Sequence, residues 1–485
     1  MENGESAADR FRANPWMVLT VTSVGALLAV MNQGTINVAL PVLLQELQIS
    51  VVDLGWIVMS YMLALSVSVV HIGKLADMFG RKRVFLIGLV LFTVSSVLAG
   101  SVESAGWMIA ARLLQGIGGA SLMSNATAMV VDAFPAEKRG VGLGVNSMVI
   151  SSGALLGPIV GGFLVNESWR WVFWFNVPFG LLLLCWGGWM LPRAARPAEK
   201  YDWHSFDIVG TVSLLLGLVA ILGAMTYGTL MHEQGWRFAL LLALGVFSLA
   251  VFLWQERRAP EPIVRLQMFR RRAYSIGNLT TFFNAFARMS VPFILIFYLQ
   301  GVRGASPLQS GLAIIPMAAA MTVIGPFSGM LADRIGVRIP ATLGLLITSA
   351  GLFSLSGIGA QTPVAFLMAC LLLVGLGSGL FLSPNVVSIM DGVPPEDRGV
   401  AAGTRTMLNN FGTLFSLSVS VALLGQVLPG SGLFATQEVA QGQVESFLSA
   451  VRAIFLIGGG ISCLGAFLSW LREPLRPRGR DENRE

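Results

Sequence analysis

The sequence predicts an all-α polytopic membrane protein, and three observations support this fold class. Hydrophobic residues make up 54% of the 485 residues, before its 55 glycines are counted. Charged residues make up only 12%, about half the roughly 25% usual for soluble domains. Apolar runs long enough to cross a bilayer, about 20 residues each, recur along the whole chain. This composition disfavours a soluble enzyme, a nucleic-acid-binding protein and a disordered scaffold.

Fourteen apolar runs are predicted to be transmembrane helices, which we number in chain order as spans 1 to 14. Their even number places both chain ends on the same side of the membrane. The spans occupy residues 17–41, 53–72, 84–103, 107–131, 141–165, 171–191, 207–229, 236–254, 274–300, 309–331, 340–359, 363–387, 400–427 and 447–471.

The distribution of charge predicts the orientation. The net charge is +6, and Lys and Arg occur in short clusters between apolar runs. Most of the 32 basic residues lie on one side if the N-terminus is cytoplasmic, which is the bias that sets orientation in membranes. We therefore predict a protein of the inner or plasma membrane with both termini in the cytoplasm. The three cysteines have no metal-binding spacing, and no cofactor is predicted.

The chain contains a parallel internal repeat. The segment GKLADMFGRKR at 73–83 returns as GMLADRIGVRI at 329–339. Likewise, DAFPAEKRG at 132–140 returns as DGVPPEDRG at 391–399. Copies that face the same side of the membrane indicate two parallel halves of six helices each.

This repeat divides the chain into three predicted parts. The N-terminal six-helix half covers 1–192. A linker with two inserted helices and a basic cytoplasmic segment covers 193–272, and the C-terminal six-helix half with a cytoplasmic tail covers 273–485.

The loop after span 2, GKLADMFGRK, and its copy after span 10 resemble the signature loop of the major facilitator superfamily. The two additional central spans resemble its fourteen-helix drug:proton antiporter branch, the multidrug efflux permeases. The resemblance covers essentially the whole chain. It implies a secondary transporter, not an enzyme, in which the two halves rock about a midplane site. It also implies export of hydrophobic or amphiphilic small molecules in exchange for protons.

The resemblance further implies roles for the signature loop. Asp77 is expected to meet the start of span 13 near Gly399, and Arg81 to reach Asp132. The alternative is a basic cytoplasmic loop with a helix cap. The residues expected to form the conformational switch are Gly73, Asp77, Gly80, Arg81, Lys82, Asp132, Gly329, Asp333 and Gly336.

Span 4 contains RLLQGIGG at 112–119, which resembles the Arg-x-x-Gln-Gly motif of the superfamily. Gly116 has a repeat counterpart in Gly375, so this glycine is expected to serve helix packing in both halves. The counterpart of Arg112 is Leu371. A charge in a membrane span costs a few kcal/mol or more, so an arginine present in one half only suggests a function. The alternative is that Arg112 snorkels to the outer surface.

Span 5 contains GALLGPIVGG at 153–162, which resembles the antiporter motif of this branch. Proline removes a backbone donor, and the glycines leave a groove in which a neighbouring helix can lie close. A tight seal suits an exchanger, although a packing kink is the structural alternative. The motif residues are Gly153, Gly157, Pro158, Gly161 and Gly162.

Span 1 departs from the pattern of the branch, because Asn32 stands where an intramembrane Asp is usual. No other acid lies at mid-span, and a buried carboxylate is the usual device for binding a proton or a lipophilic cation. Amides and arginines remain, which suits neutral, zwitterionic or anionic amphiphiles. The residues expected to bind substrate or couple protons are Asn32, Gln33, Asn37, Arg112, Gln115, Asn146, Arg288 and Arg405.

Several functions stay open at this stage. A lipid exporter or an exporter of an anionic or zwitterionic metabolite fits the same features. An uptake symporter and a non-transporting membrane sensor are weaker alternatives. The expected partners are a small amphiphilic substrate, protons and membrane lipids. No nucleic acid is expected, and no nucleotide either, because a Gly-x4-Gly-Lys-Ser/Thr loop is missing.

Overall fold

The computed structural model describes residues 14–191, 207–228, 235–259, 262–394, 397–427 and 441–472. Every predicted span is helical, and no β-strand occurs within these ranges. The first six helices are α1 (Pro15–Glu46), α2 (Val51–Phe79), α3 (Arg81–Ser101), α4 (Ala105–Ala133), α5 (Arg139–Glu167) and α6 (Trp171–Met190).

The other eight helices follow in chain order. They are α7 (Ile208–Gly228), α8 (Gly235–Glu256), α9 (Arg272–Phe297, continued by a π-turn to Val302), α10 (Pro307–Ile335), α11 (Arg338–Leu355), α12 (Val364–Asp391), α13 (Arg398–Val427) and α14 (Gln441–Trp470).

By length and composition, thirteen helices in the described ranges can cross a membrane. The helix outside that set is α4, which has 29 residues and carries Arg112 and Gln115 in its first half. The predicted all-α membrane fold is therefore confirmed.

Two compact units make up the chain. Within the described residues, one unit comprises 14–43 and 56–191, and the other comprises 44–55 and the residues from 207 onward. The inserted helix α7 packs within the second unit, where the Ser418 hydroxyl donates to the Leu222 carbonyl at 3.5 Å. The three-part division at 192 and 272 stays a prediction.

Close helix packing in each unit depends on the repeated glycines. A Cβ added at Gly116 would collide with the Tyr61 carbonyl oxygen, and one added at Gly375 would collide with the Met317 carbonyl oxygen. The same backbone approach thus occurs in both repeats, at corresponding positions. The expected packing role of these glycines is confirmed, because only a residue without a side chain permits this contact.

Candidate substrate and coupling site

The glycines of the predicted antiporter motif line a contact between α5 and α1. A Cβ at Gly157 would lie 2.9 Å from Gly34 Cα and 3.0 Å from the Met31 carbonyl oxygen. At Gly161 it would lie 2.6 Å from Thr35 Cα. The two backbones therefore touch directly along this seam.

Two further motif residues, Gly153 and Pro158, extend the same seam. Gly153 and Gly162 are buried, and Pro158 lies inside the helix. A Cβ at Gly34 would lie 2.9 Å from Pro158 Cδ. The glycines and the proline of the motif have no polar side chain, so we interpret their contribution as mechanical.

Arg112 lies fully inside the first unit. Its Nε donates to the Ile57 carbonyl at 3.1 Å, and its Nη1 donates to Gln115 Oε1 at 2.6 Å. The guanidinium carbon lies 4.3 Å from the ring centroid of Tyr61. Arg112 is 0% exposed, so the snorkelling alternative is wrong.

The charge of Arg112 has no counter-ion among the described residues. Its hydrogen bonds go to a carbonyl and an amide, and Nη2 is buried without a partner. A buried charge is stabilised only when it is paired and hydrogen-bonded, so this arrangement is costly. Such a cost is typical of a functional position.

A network of amides surrounds Arg112. Asn32 Nδ2 donates to Gln115 Oε1 at 3.2 Å, and Gln115 Nε2 donates to Ser96 Oγ at 2.7 Å. Asn176 Nδ2 donates to Asn32 Oδ1 at 3.3 Å. The network joins α1, α3, α4 and α6, and its buried hydrogen bonds strengthen one another. Asn32, which replaces the expected acid, is thus part of the same cluster as Arg112.

The other predicted residues of the first unit lie on α1 and α5. Asn146 is buried and accepts a hydrogen bond from Ser23 Oγ at 2.8 Å. Gln33 and Asn37 lie half-buried on α1.

Arg288 and Arg405 belong to the second unit, on α9 and α13. Both side chains are half-buried, and each Nε is buried without a hydrogen-bond partner. The structure therefore places the predicted substrate residues in two separate groups, one in each unit.

In the signature loop of the first unit, the Arg81 side chain forms hydrogen bonds with three other residues. Its Nη1 donates to Asp132 Oδ2 at 2.5 Å and to the Ala128 carbonyl at 3.0 Å, and its Nη2 donates to Asp77 Oδ1 at 3.3 Å. The contact between Arg81 and Asp132 that the resemblance implies is present. A contact of Asp77 near Gly399 would join the two units and stays a prediction.

The next residue of the loop, Lys82, caps a different helix. Its Nζ donates to the carbonyls of Gly188 and Leu191, at 2.9 and 2.6 Å, at the C-terminal end of α6. The repeat counterpart of Lys82 is Arg338, whose guanidinium carbon lies 3.9 Å from the Trp470 ring at the end of α14. A cation thus meets the end of the sixth helix of each repeat, where the helix dipole favours it.

The glycines of the signature loop have similar backbone conformations and surroundings in both copies of the repeat. Gly80 has φ of 92° and Gly336 has φ of 81°, a conformation that glycine adopts without strain. A Cβ at Gly73 would lie 3.5 Å from Ser124 Oγ, and one at Gly329 would lie 3.0 Å from Ser383 Oγ. Asp333, the counterpart of Asp77, is exposed.

The family model of the Major Facilitator Superfamily matches residues 22–206 and 277–485. The chain belongs to the Major Facilitator Superfamily. It is therefore an integral membrane transporter, and the superfamily and drug-export resemblance predicted from its motifs is confirmed.

Named relatives of this major facilitator protein include exporters. The tetracenomycin C resistance and export protein of Streptomyces glaucescens is 33% identical over 87% of this chain and 77% of its own length. The multidrug resistance protein Stp of Mycobacterium tuberculosis is 32% identical over the same shares. The riboflavin transporter RibZ of Clostridioides difficile is 26% identical over 94% of this chain and 96% of its own.

Solved structures share the fold. A bacterial homolog of the human lysosomal transporter Spinster, in an inward-facing conformation, has a TM-score of 0.65 at 15% identity. The match covers 94% of this chain and 96% of that one. A D-xylose-proton symporter has a TM-score of 0.66 at 18% identity, with coverage of 95% and 98%.

Several residues of this facilitator's polar clusters escaped the sequence reasoning. Tyr61, Ser96 and Asn176 complete the network around Arg112, but single polar residues in apolar runs carry no distinctive spacing. Their roles depend on which helices are neighbours, and the sequence of one chain does not specify those neighbours.

Arg472 was missed because it lies just beyond the last span. It is 3% exposed, and its Nη2 donates to Thr280 Oγ1 and, at 2.5 Å, to Asn385 Oδ1. Burial lowers the pKa of Arg472 to about 10. This cation ties the end of α14 to α9 and α12.

Proposed function

We propose that this protein exports hydrophobic or amphiphilic small molecules across the cell membrane in exchange for protons. In this proposal both termini are cytoplasmic, and the two repeats rock between inward- and outward-facing states. Relatives named for tetracenomycin C export and for multidrug resistance support the direction and the class of cargo.

The observation that carries the proposal is the backbone contact between Gly157 and Gly34. An exchanger must prevent protons from crossing unless substrate moves in the opposite direction. Two helices that touch backbone to backbone leave no room for water between them, and any side chain at the contact would separate them. This seal is what a coupled antiporter needs.

Proton uptake is assigned in this proposal to Asp132. Its carboxylate pairs with Arg81, and its side chain is 60% exposed at the end of α4. In this proposal, a conformational change that separates the pair leaves the carboxylate of Asp132 without its partner and free to carry the transported proton.

A flux experiment tests the proposal. The purified protein is reconstituted in liposomes, a pH gradient is imposed, and movement of a fluorescent amphiphile is followed. Export requires that the dye move against its own gradient while protons move in the opposite direction, and that an ionophore stop it. Dye movement in the same direction as protons would indicate a symporter. Dye binding without any flux would indicate a sensor.

A second candidate is an exporter of a lipid or of an anionic or zwitterionic metabolite. The observation that favours it is the position of acids in the described spans, where Asp and Glu occur only toward helix ends, as at Asp53, Asp132 and Asp391. Transport of an anionic lipid in the same liposomes, without transport of the dye, would select this candidate.

A further inference from the structure

Two arginines of the second unit stand in the membrane without a counter-charge. Arg288 lies about 24 Å along α9 from its first residue, at 1.5 Å per residue, and Arg405 lies about 10 Å along α13 from its first residue. Neither forms a hydrogen bond or an ion pair with any described residue, and each Nε is buried. Arg288 is too deep for its side chain to reach either membrane surface.

The packing of α9 on α13 fixes the relative depth of the two arginines. A Cβ at Gly412 would collide with the Phe282 carbonyl oxygen, so these two residues lie at the same level. Helices α9 and α13 begin at Arg272 and Arg398, and in the proposed topology both run from the cytoplasmic side toward the outer side. Arg405 precedes that level and Arg288 follows it, which separates them by roughly 20 Å along the helix axes. Arg405 and Arg288 therefore lie at two different depths along the same pair of packed helices.

The first repeat shows that the fold needs no charge at the position of Arg405. Gly153 and Gly412 are equivalent, which pairs Arg405 with Asn146. Asn146 is buried and neutral, and its Oδ1 accepts a hydrogen bond from Ser23. An amide therefore suffices for packing here.

The same comparison applies to Arg288. Gly153 approaches the carbonyl of Leu27, as Gly412 approaches that of Phe282, and this pairs Arg288 with Gln33. Both arginines thus replace a neutral amide of the first repeat. Since a charge within the membrane costs a few kcal/mol or more, a function must retain them.

We infer that the transported molecule carries an anionic group, a carboxylate or a sulfonate, which Arg405 captures near the cytoplasmic end of α13 and Arg288 binds at mid-membrane. Guanidinium groups suit such oxyanions because they offer parallel N–H donors. Arg112 is a poor candidate for this contact, because it is fully enclosed by its own network. The inference rests on the proposed function, since it assumes that α9 and α13 line the export path.

A pair of fluorescent dyes with matched ring systems tests the inference. The probes are 1-anilinonaphthalene-8-sulfonate, which is anionic, and N-phenyl-1-naphthylamine, which is neutral. Saturable binding is measured on the full chain in nanodiscs of neutral lipid, with empty nanodiscs subtracted. We expect the sulfonate to bind at least tenfold more tightly than the neutral dye.

The variants separate the two arginines. Arg288→Gln should weaken sulfonate binding at least tenfold without changing binding of the neutral dye, and Arg288→Lys should restore much of the loss. Arg405→Gln should mainly slow sulfonate association and reduce its dependence on salt, as expected for a charge that steers encounter. Arg452→Gln is the matched control, because it removes an exposed cation of α14 and should change nothing. An unaltered elution profile in size-exclusion chromatography verifies folding of each variant.

The outcomes distinguish this inference from the proposed function. Equal binding of both dyes by the parent protein, or sulfonate binding that is unchanged in Arg288→Gln, overturns the inference even if pH-driven dye export is observed. Selective sulfonate binding that depends on Arg288, in a protein that moves no dye under a pH gradient, supports the inference while the proposed antiport fails.

Discussion

Arg81 donates from Nη1 to Asp132 Oδ2 at 2.5 Å, which joins the start of α3 to the end of α4. The side chains are 32% and 60% exposed, and the second carboxylate, Asp77 at 3.3 Å, is 49% exposed. Ion pairs with this exposure contribute about 0–1 kcal/mol. We therefore predict that the signature loop of this repeat biases a conformational equilibrium moderately and does not lock one state.

The first prediction concerns that bias. Arg81→Gln should lower the rate of transport several-fold, because about 1 kcal/mol shifts a two-state equilibrium about fivefold. Asp77→Asn should act in the same direction, and membrane insertion should be intact in both. Transport by purified variants in liposomes measures the effect. Arg83→Gln removes an exposed cation from the same loop, and an equal loss in this control would show that only the net charge matters.

A second prediction concerns the seam between α1 and α5. Gly157→Val should reduce export or let protons leak without substrate, because its Cβ alone would lie 2.9 Å from Gly34 Cα. Decay of an imposed pH gradient across liposomes measures the leak. Gly144→Val is the matched control on the same helix, since an added Cβ there meets nothing within 4 Å. If vesicles with Gly157→Val hold their gradient and exchange normally, the seam is only packing.

The third prediction separates stability from function at Arg112. Arg112→Leu places at this position the residue that the second repeat has at Leu371, and it removes an uncompensated buried charge. The apparent melting temperature in detergent should therefore stay the same or rise by a few degrees, while transport falls sharply. A large drop in melting temperature would instead assign Arg112 a structural role.

The fold was predictable because its signal is repeated over long stretches. Each span needs about 20 apolar residues, and the return of the segment at 73–83 as the segment at 329–339 indicates the duplication from the sequence alone. The contact of Arg81 with Asp132 was accessible only through resemblance, since 51 residues separate them. The position of a residue along its helix does not determine how far neighbouring helices bury its side chain. The exposure of Arg112 could not be read from its position near the end of a span, and the structure shows it fully buried.

The polar clusters were harder to predict for a physical reason. Asn176 and Asn32 are 144 residues apart and meet only because α6 packs beside α1. Arg472 lies outside every apolar run, yet its side chain reaches Asn385 on α12. Such contacts depend on helix neighbours and on rotation about helix axes, and neither is encoded in local hydrophobicity.

A fourth prediction assigns the pH response. If Asp132 takes up the transported proton, Asp132→Asn should abolish the dependence of transport on the pH gradient and leave a passive, substrate-dependent flux. Glu137→Gln is the control, because Glu137 is an exposed acid in the loop that directly follows α4. Transport is measured at several imposed gradients. A parent protein that is indifferent to every gradient would exclude proton coupling altogether.

The last prediction restores the missing acid. Asn32 and Arg112 both hydrogen-bond to Gln115 Oε1, at 3.2 and 2.6 Å, so a carboxylate at position 32 would lie close to an uncompensated guanidinium. Asn32→Asp should therefore be well tolerated, and its negative charge should be largely neutralised by Arg112.

Affinity for lipophilic cations should then appear mainly when Arg112 is removed as well. We expect the Asn32→Asp, Arg112→Gln double variant to bind the cationic dye ethidium more tightly than the parent and either single variant, as measured by fluorescence titration in nanodiscs. Both partners of the new ion pair would be enclosed in the single Asn32→Asp variant, whereas the double variant leaves a buried carboxylate that only a cation or a proton can neutralise. Tight ethidium binding by the Asn32→Asp single variant would show instead that Arg112 does not compensate position 32.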